Sequence, residues 1–491
     1  MKSIYKILYH FIGSDLIMKL KIFHNFLFIL ILFISHKVPS LLRSSSSKKI
    51  TLRVKKFLLV PVMMLLIFNQ TVAQAWSFTS ENGKEKLDSY FETISSKNKI
   101  PSTIIQDPHI LLDIKTSFVG SNNEVVNEFV WKLIEKADLY LDAKPLSVIE
   151  KTENPPSGNI HDFYSLSAYE WPNPDSSDGL PYVSRDGVIN PEIYSISDKK
   201  NLDEMVRMVK VLALTYYFTD DNRYAEKARD LLSIWFLNED TYMNPHLKYA
   251  ETIRGKNEIR AQGIMEGRPL TEITDAIRLL QTSPYWTQDV QQGMESWFRN
   301  YLDWLINSDS GKEEKNKMNN HGTYYLVQVS AIGLFLNEIQ IVKDLLENTM
   351  KDLGSAPLSE ISSLIAVKIL YDGRQPFELR RTNSLDYSLV NLLGMFTLAN
   401  IGERVGLDMW NNKIHGAGLQ NALDYLIPFL KGEKIWPYKQ INEVKNHVLS
   451  DVYCQGALHY SNNRAYLEIY QSTASALIEN IYFPMCDQMI D

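Results

Sequence analysis

Apolar residues recur at helical spacing through most of this chain, and little else competes with that pattern. Leu202, Val206, Val209, Ala213 and Tyr216 keep an i, i+4, i+7 rhythm, and Tyr224, Ala228, Leu231 and Trp235 resume it after Asp220-Asp221-Asn222. Trp297, Tyr301, Trp304 and Leu305 form another stripe, Val327, Ala331 and Leu334 the next, and residues 387–399, 419–427 and 465–478 add more. Such stripes bury one helix face against a neighbour, and the short links between them suit antiparallel partners. Period-2 strand signals are scarce, and no repeat of fixed length is visible. The pattern predicts an all-α protein of helical hairpins. Helical spacing also accounts for Trp235, Trp297 and Trp304, which are read as core residues.

The N-terminal region reads differently. Val54-Lys55-Lys56, an apolar run over 57–68 and Ala73-Gln74-Ala75 have the order of a signal peptide: basic start, short apolar core, small-x-small cleavage site. No Cys follows the cleavage site, so nothing there suggests a lipid anchor. A second apolar run covers 22–34 and is shorter than the ~20 residues that span a bilayer. We therefore expect residues 1–53 to be an N-terminal extension produced by a misplaced start, 54–75 to be the signal, and 76–491 to be the working domain; a membrane anchor at 22–34 is the competing reading. The product is expected to be periplasmic or secreted, without stable membrane association once the signal is removed.

Of the 51 Lys+Arg and 58 Asp+Glu residues, 11 basic and one acidic lie in residues 1–75, so the remainder carries 40 and 57 and a net charge of −17. That balance argues against broad binding to nucleic acid or to anionic membranes. An acidic ligand has to be held by a local basic pocket. Cys454 and Cys486 are able to form one disulfide after export, but two cysteines make no scaffold, and they are read as packing residues.

Chemistry concentrates in a few segments. Asn319-Asn320-His321-Gly322 sits between the polar stretch 308–318 and the apolar run 324–336, so two amides and an imidazole gather where a loop enters a helix. A satisfied structural histidine is the bland alternative. Residues 161–191 are rich in Pro, Gly, Asp and aromatics, with no clear period. A loop of that length is functional or disordered, and Tyr164, Tyr169, Trp171 and Tyr182 argue against disorder. Its rings either meet sugar faces or simply cover the helices. Asn244-Pro245-His246-Leu247 and residues 260–268, with Gly263, Glu266 and Arg268, form further polar clusters, and Arg374 to Arg381 is followed by Asn383 and Tyr387.

Arg, Asn and His together can neutralise a carboxylate, and a Tyr whose pKa is lowered by nearby cations can exchange protons. The set suggests β-elimination from a uronic acid. Neutralising the carboxylate with Asn320, His321 and Arg381 would stabilise the charge that develops when C5 loses its proton; Tyr387 could take that proton, protonate the leaving O4, or do both, and whether His321 also acts as a base stays open. No cofactor is demanded and no metal either: there is no HxxxH or Cys/His cluster at ligand spacing. For a metal, His161, His246 and His415 would have to converge in space.

Four motifs, in order over residues 160–400, resemble the alginate lyase domain family (polysaccharide lyase family five and related uronate lyases). Asn319-Asn320-His321-Gly322-Thr323-Tyr324-Tyr325 is similar to the family's Asn-Asn-His-Gly-Thr-Trp-Tyr, and Asp372 through Thr382 to Asp-Gly-x-Gln-Pro-x-Glu-Leu-x-Arg-Thr, with Tyr387 at a following Tyr. Residues 164–174 and 180–187 resemble Tyr-Tyr-Ser-x-x-x-Tyr-x-Trp-Pro-x-Pro and Gly-Leu-Pro-Tyr-x-x-Arg-Asp-Gly. Residues 241–249 resemble Thr-x-Met-Asn-Pro-x-Leu-x-Tyr. The chain departs at Tyr324 (usually Trp), Leu326 (often Asp), Glu170 (often aromatic) and Glu251 (frequently Gln).

The resemblance implies an incomplete (α/α) toroid with a long substrate cleft that cleaves an acidic polysaccharide, alginate or polymannuronate foremost, to 4,5-unsaturated products. Asn320 and His321 would neutralise the uronate carboxylate with help from Arg381, and Tyr387 would be the catalytic acid and base. Asn319, Tyr164, Tyr169, Trp171, Arg185, Arg268, Gln375 and Glu378 are the expected substrate-binding residues. Glucuronan or another uronate polymer is an alternative substrate. Two other functions remain open: a glycoside hydrolase using Glu266 and Glu378 as its carboxylate pair, and a non-catalytic polysaccharide-binding protein.

Overall fold

The computed structural model describes residues 100–489 except 121–122, 257, 353, 356–360, 362–363, 462 and 474–479. The expected extension, signal and cleavage site at 1–75 lie outside these residues. Helix makes up 58% of the structure and strand 4%, and no sheet closes into a barrel, so the chain is all-α: an incomplete (α/α) toroid of helical hairpins.

The hairpins follow the sequence stripes. Helices α1 (Pro108–Gly120) and α2 (Glu124–Leu141) come first, with Asn123 capping α2 by accepting from the Val126 amide. Helices α3 (Asp198–Thr219) and α4 (Asn222–Phe236) turn through Asp220, left-handed at φ 56°, and Asp221, whose carboxylate caps α4 at Arg223. Next come α5 (Leu270–Leu280), α6 (Gln288–Asn307) and the short α7 (Asp309–Lys315). Helices α8 (Asn320–Phe335) and α9 (Ile339–Thr349) form a hairpin, followed by the single turn α10 (Ile365–Lys368). Then follow α11 (Ser384–Arg404) with α12 (Leu419–Leu430), α13 (Asn446–His459) with α14 (Arg464–Thr473), and a closing α15 (Phe483–Gln488).

Packing runs from α2 to α3, α5, α8, α11 and α13 in succession, while α4, α6, α9, α12 and α14 flank that row. The row's members have different surfaces from the flanking helices. Fifteen of the sixteen residues of α8 are buried, and His321 is the exception. Helix α11 is buried nearly throughout its first three turns, with Tyr387 only half-buried. An element apolar on all sides has to lie inside, so these two helices form the toroid's inner wall. Trp235 and Trp297 are core, as their spacing predicted, and Trp304 is half-buried against Tyr301 and His246.

The aperiodic segment 161–191 is folded rather than loose. Strand β1 (Tyr164–Leu166) pairs in parallel with β4 (Tyr249–Thr252), and β2 (Glu170–Trp171) pairs antiparallel with β3 (Val183–Ser184). Strands of two to four residues carry no readable alternation, which is why the sequence showed only a loop. The Arg254 guanidinium holds Glu153 at 2.9 and 3.0 Å, and Tyr182 donates to Glu192 at 2.7 Å, fixing the segment's outer edge.

One expectation is corrected. Cys454 and Cys486 are not separate packing residues but form a disulfide, with Cα atoms 5.7 Å apart, that ties α13 to α15. Both are fully buried where those helices meet, a proximity that a sequence separation of 32 conceals.

The start of the described chain is anchored by one carboxylate. Asp275 of α5 accepts the backbone N–H groups of Ile104, Ile105 and Gln106. Asp275→Ala is expected to lower stability by about 3 kcal/mol, since it strands three donors at a charged acceptor. A urea unfolding midpoint equal to the parent's would show that this anchor contributes nothing.

Candidate active site

The first wall of the site is the corner where α7 gives way to α8. Asn319 is the residue before α8 and makes no side-chain cap; its Oδ1 is buried without a hydrogen-bond partner. A distant residue supplies the cap instead. Glu378 accepts from the Asn320 backbone N–H and, at 2.8 Å, from Asn320 Nδ2. The first N–H groups of a helix have no partner within it, and a carboxylate there also suits the helix dipole. Both Glu378 oxygens accept from N–H groups, the geometry of an ionised carboxylate. Burial pushes its pKa up, while the Asn320 bonds and the charges of Lys368 and Arg381 oppose that shift.

His321 is oriented in a similar way. Its Nδ1 lies 2.6 Å from Oε1 of Glu314, whose side chain is fully buried. An ionised Glu314 can only accept, so this bond places a proton on Nδ1 and leaves Nε2 for other work. Glu251, Arg260 and Arg268 complete the surroundings of this corner. Burial raises the Glu251 carboxyl, opposed by His321, Arg260 and Arg268. Glu251 also adopts a left-handed backbone (φ 51°), where non-glycine residues are strained. Beneath it, Ser165 donates to Glu266, whose pKa is pushed up to about 8 by burial and by the neighbouring Glu251.

The second wall is built on the start of α11. The Arg381 guanidinium lies 4.0 Å from the centroid of the Tyr387 ring, and the Tyr387 hydroxyl donates to the Tyr169 hydroxyl at 2.8 Å. Arg381 also grips Asp186 with two N–H groups, at 2.7 and 3.3 Å, and the Thr382 amide and hydroxyl donate to the same carboxylate. This draws the 161–191 segment onto the helix start. The contact is close: a Cβ on Gly187 would stand 2.5 Å from Thr382 Oγ1, and Gly187 has φ +77°. The adjacent Arg380 lies over Phe377 instead.

Tyr387 departs from expectation. Cations were to lower its pKa, and Arg381 does pull it down, but burial dominates and the net shift is upward, with Tyr169 and Asp186 adding to it. Desolvation of the phenolate outweighs one cation, so the resting side chain keeps its proton.

The remaining expected residues divide into two groups. Tyr169, Trp171, Arg185 and Arg268 are partly or fully exposed: Arg185 lies 5.1 Å from the Trp171 ring, and Arg268 lies 4.8 Å from that of Tyr324. Tyr164, Gln375 and Glu378 are buried scaffold. The Tyr164 hydroxyl bonds Glu153, and Gln375 bridges Ser388 and Asn391 of α11. The three histidines do not converge: His161 bonds the Tyr242 carbonyl, His246 pairs with Asp162, and His415 with Asp352. Among the described residues, no group of three or more His, Cys, Asp or Glu is placed to hold a metal.

Sequence reasoning missed Glu314, Asp186 and Lys368. Glu314 stands seven residues before His321 in a stretch read only as polar, and Asp186 belonged to a quoted motif without a role. Nothing around Lys368 marked it.

Gly322 shows how tightly the corner is built. A Cβ there would stand 1.9 Å from the Lys317 carbonyl oxygen and 3.3 Å from Lys368 Nζ. Gly322→Ala is expected to destabilise the protein by about 2 kcal/mol or more, because backbone has to move. A thermal unfolding midpoint within a degree of the parent's would contradict this reading.

Known proteins resemble this chain. The alginate lyase family model matches residues 147–436. A crystal structure of an alginate lyase from Bacteroides ovatus is 31% identical, covers 79% of this chain and 99% of its own, and superposes with a TM-score of 0.71. Alginate lyase A1-III from Sphingomonas species A1 is 13% identical over 74% of this chain and 91% of its own, with a TM-score of 0.46. No curated protein matches the chain.

Proposed function

The chain belongs to the alginate lyase family and is a polysaccharide lyase; on that premise we propose that it cleaves a uronate polymer, alginate rich in mannuronate, by β-elimination at the corner between α8 and α11. The observation that carries the proposal is the Arg381–Tyr387 pair at 4.0 Å, a protonated phenol held against a guanidinium. An elimination needs three things: relief of the carboxylate's charge, removal of the C5 proton, and a proton for the departing O4.

Arg381 and Asn320 supply the first, assisted by the N-terminus of α8. Tyr387 carries its proton at rest and so enters as the acid that protonates O4. His321, with Nδ1 tied to Glu314, offers Nε2 to the C5 hydrogen. This divides the proton transfers between two residues, where the sequence left the base open between His321 and Tyr387. The arrangement also disfavours a hydrolase. Glu378 is 1% exposed and bound to Asn320, and Glu266 is engaged by Ser165, so neither is free to flank a glycosidic bond. The Cys454–Cys486 disulfide supports a periplasmic or secreted destination, since such bonds persist in oxidising compartments.

Incubation with polymannuronate should produce material absorbing in the ultraviolet from a new C4–C5 double bond. Tyr387→Phe is expected to lower kcat by about 1,000-fold while oligosaccharide binding is kept, within the range for losing a general acid. A Tyr387→Phe enzyme turning over at the parent rate would overturn the mechanism. A panel of mannuronate blocks, guluronate blocks and glucuronan tests the substrate. Mannuronate blocks should be cut fastest, and exclusive cutting of glucuronan would reassign the polymer while leaving the elimination intact.

A further inference from the structure

We propose that Lys368 is a positioning residue for this elimination: its buried ammonium clamps the turn that delivers Asn320 and His321 and faces, as a shared counter-charge, the two carboxylates that orient them. The inference rests on the proposed reaction at this corner. Lys368 closes α10 and is 3% exposed. Its Nζ donates to the Lys317 carbonyl at 3.3 Å and to the Asn319 carbonyl at 3.1 Å, within the turn that leads into α8. Gly322 permits this approach, since any side chain there would meet both the Lys317 carbonyl and the Lys368 ammonium.

A lysine almost never loses its water without compensation. Here the compensating charges are Glu378, from the segment before α11, and Glu314, from α7. The same two carboxylates hold Asn320 and His321. A small cavity beside Lys368 is otherwise lined by uncharged side chains: Thr323 and Leu326 on α8, Thr349 on α9, Ile365 on α10, Met395 and Leu398 on α11, and Met409. One cation thus stands behind both orienting anions, and Glu314 Oε2 has no hydrogen-bond partner of its own. Without the ammonium, Glu378 would lose one of the two cations that oppose its desolvation, and the Lys317 and Asn319 carbonyls would lose their donor. If Glu378 then took up a proton, one of its two bonds to Asn320 would be lost.

The pH dependence follows. Burial pulls the Lys368 pKa down to about 8, against the opposing pull of Glu378 and Glu314. The charge is present below that pH and lost above it, so kcat should fall as pH rises through about 8.

The test compares the full chain with Lys368→Met and Lys368→Arg on polymannuronate from pH 6 to 10, with circular dichroism at each pH. The parent should lose kcat near pH 8 while still folded. Lys368→Met should lower kcat by about 30-fold with KM changed less than about three-fold, and should flatten the alkaline limb. Lys368→Arg, whose charge does not titrate in this range, should restore much of the rate and keep it to higher pH. A folded Lys368→Met enzyme with the parent's kcat and pH profile would overturn the role. Should Lys368→Met not fold, the parent decides: a lysine ε-carbon NMR resonance titrating together with kcat, and missing from Lys368→Arg, supports the role, and a flat kcat between pH 7 and 9.5 removes it. Cleavage of polymannuronate without these signatures defeats only the role of Lys368, whereas no cleavage of any uronate polymer defeats the reaction as well.

Discussion

The carboxylate of Glu378 is the join on which the site depends. It reaches across 58 residues of sequence to take the first amide and the side chain of Asn320, and so caps α8 from a segment that leads directly into α11. Helices α8 and α11 pack against each other in the inner wall, but packing alone would leave their starts free to slide. Because the Glu378 bonds are directional and buried, they fix the start of α8 relative to Arg381, three residues beyond Glu378. The cost of desolvating Glu378 is partly offset by its bonds to Asn320 and by the charges of Lys368 and Arg381. A buried anion with two positions to define and two cations beside it can do little besides hold geometry.

The two inner helices explain why the reactive groups stand where they do. Helices α8 and α11 are buried on nearly every face, and interior polar side chains such as Gln328, Ser388 and Asn391 are engaged in internal hydrogen bonds. Only at their first turns does a polar side chain reach the opening: His321 on one and Tyr387 on the other. Each is then oriented from outside its own helix, His321 by Glu314 of α7 and Tyr387 by Tyr169 of the 161–191 segment. Oriented this way, each side chain needs no space within its own helix, which remains free to pack.

Much of this was legible in the residues. Stripes at helical spacing placed α3, α4, α6, α8, α11 and α12, because each buries one continuous face and needs only local periodicity to be recognised. The motif residues Asn320, His321, Arg381 and Tyr387 were named through the resemblance, and Glu378 ties Asn320 to the segment that carries Arg381. What escaped depends on distance in the chain. Cys454 and Cys486 meet only because α13 and α15 pack, and the strands of the 161–191 segment are too short to show alternation. Lys368 looked like any lysine, since burial of its ammonium follows from the turn at 317–319 and not from its own neighbours in sequence. Tyr387 illustrates a further limit: sequence showed the cation beside it, but the size of the opposing desolvation depends on how deeply the ring is seated.

The cations of the site show how an acidic protein keeps positive charge for a polyanion. Carboxylates beside an arginine would anchor it but also neutralise it. Here Arg185 lies over Trp171, Arg268 over Tyr324 and Arg381 over Tyr387. An aromatic face positions a guanidinium through its quadrupole and leaves the in-plane N–H groups available for an acceptor such as a carboxylate. Arg381 differs from the other two, because Asp186 already occupies part of its fork. On the proposed reaction, a uronate carboxylate arriving at Arg381 would replace an anion already present, so the net electrostatic gain there would be smaller than at a guanidinium without such a partner. What Arg381 contributes is direction. Its orientation is set by Asp186 along one edge and by the Tyr387 ring across its face, and in the proposed elimination that fixed placement would hold a carboxylate beside the phenol.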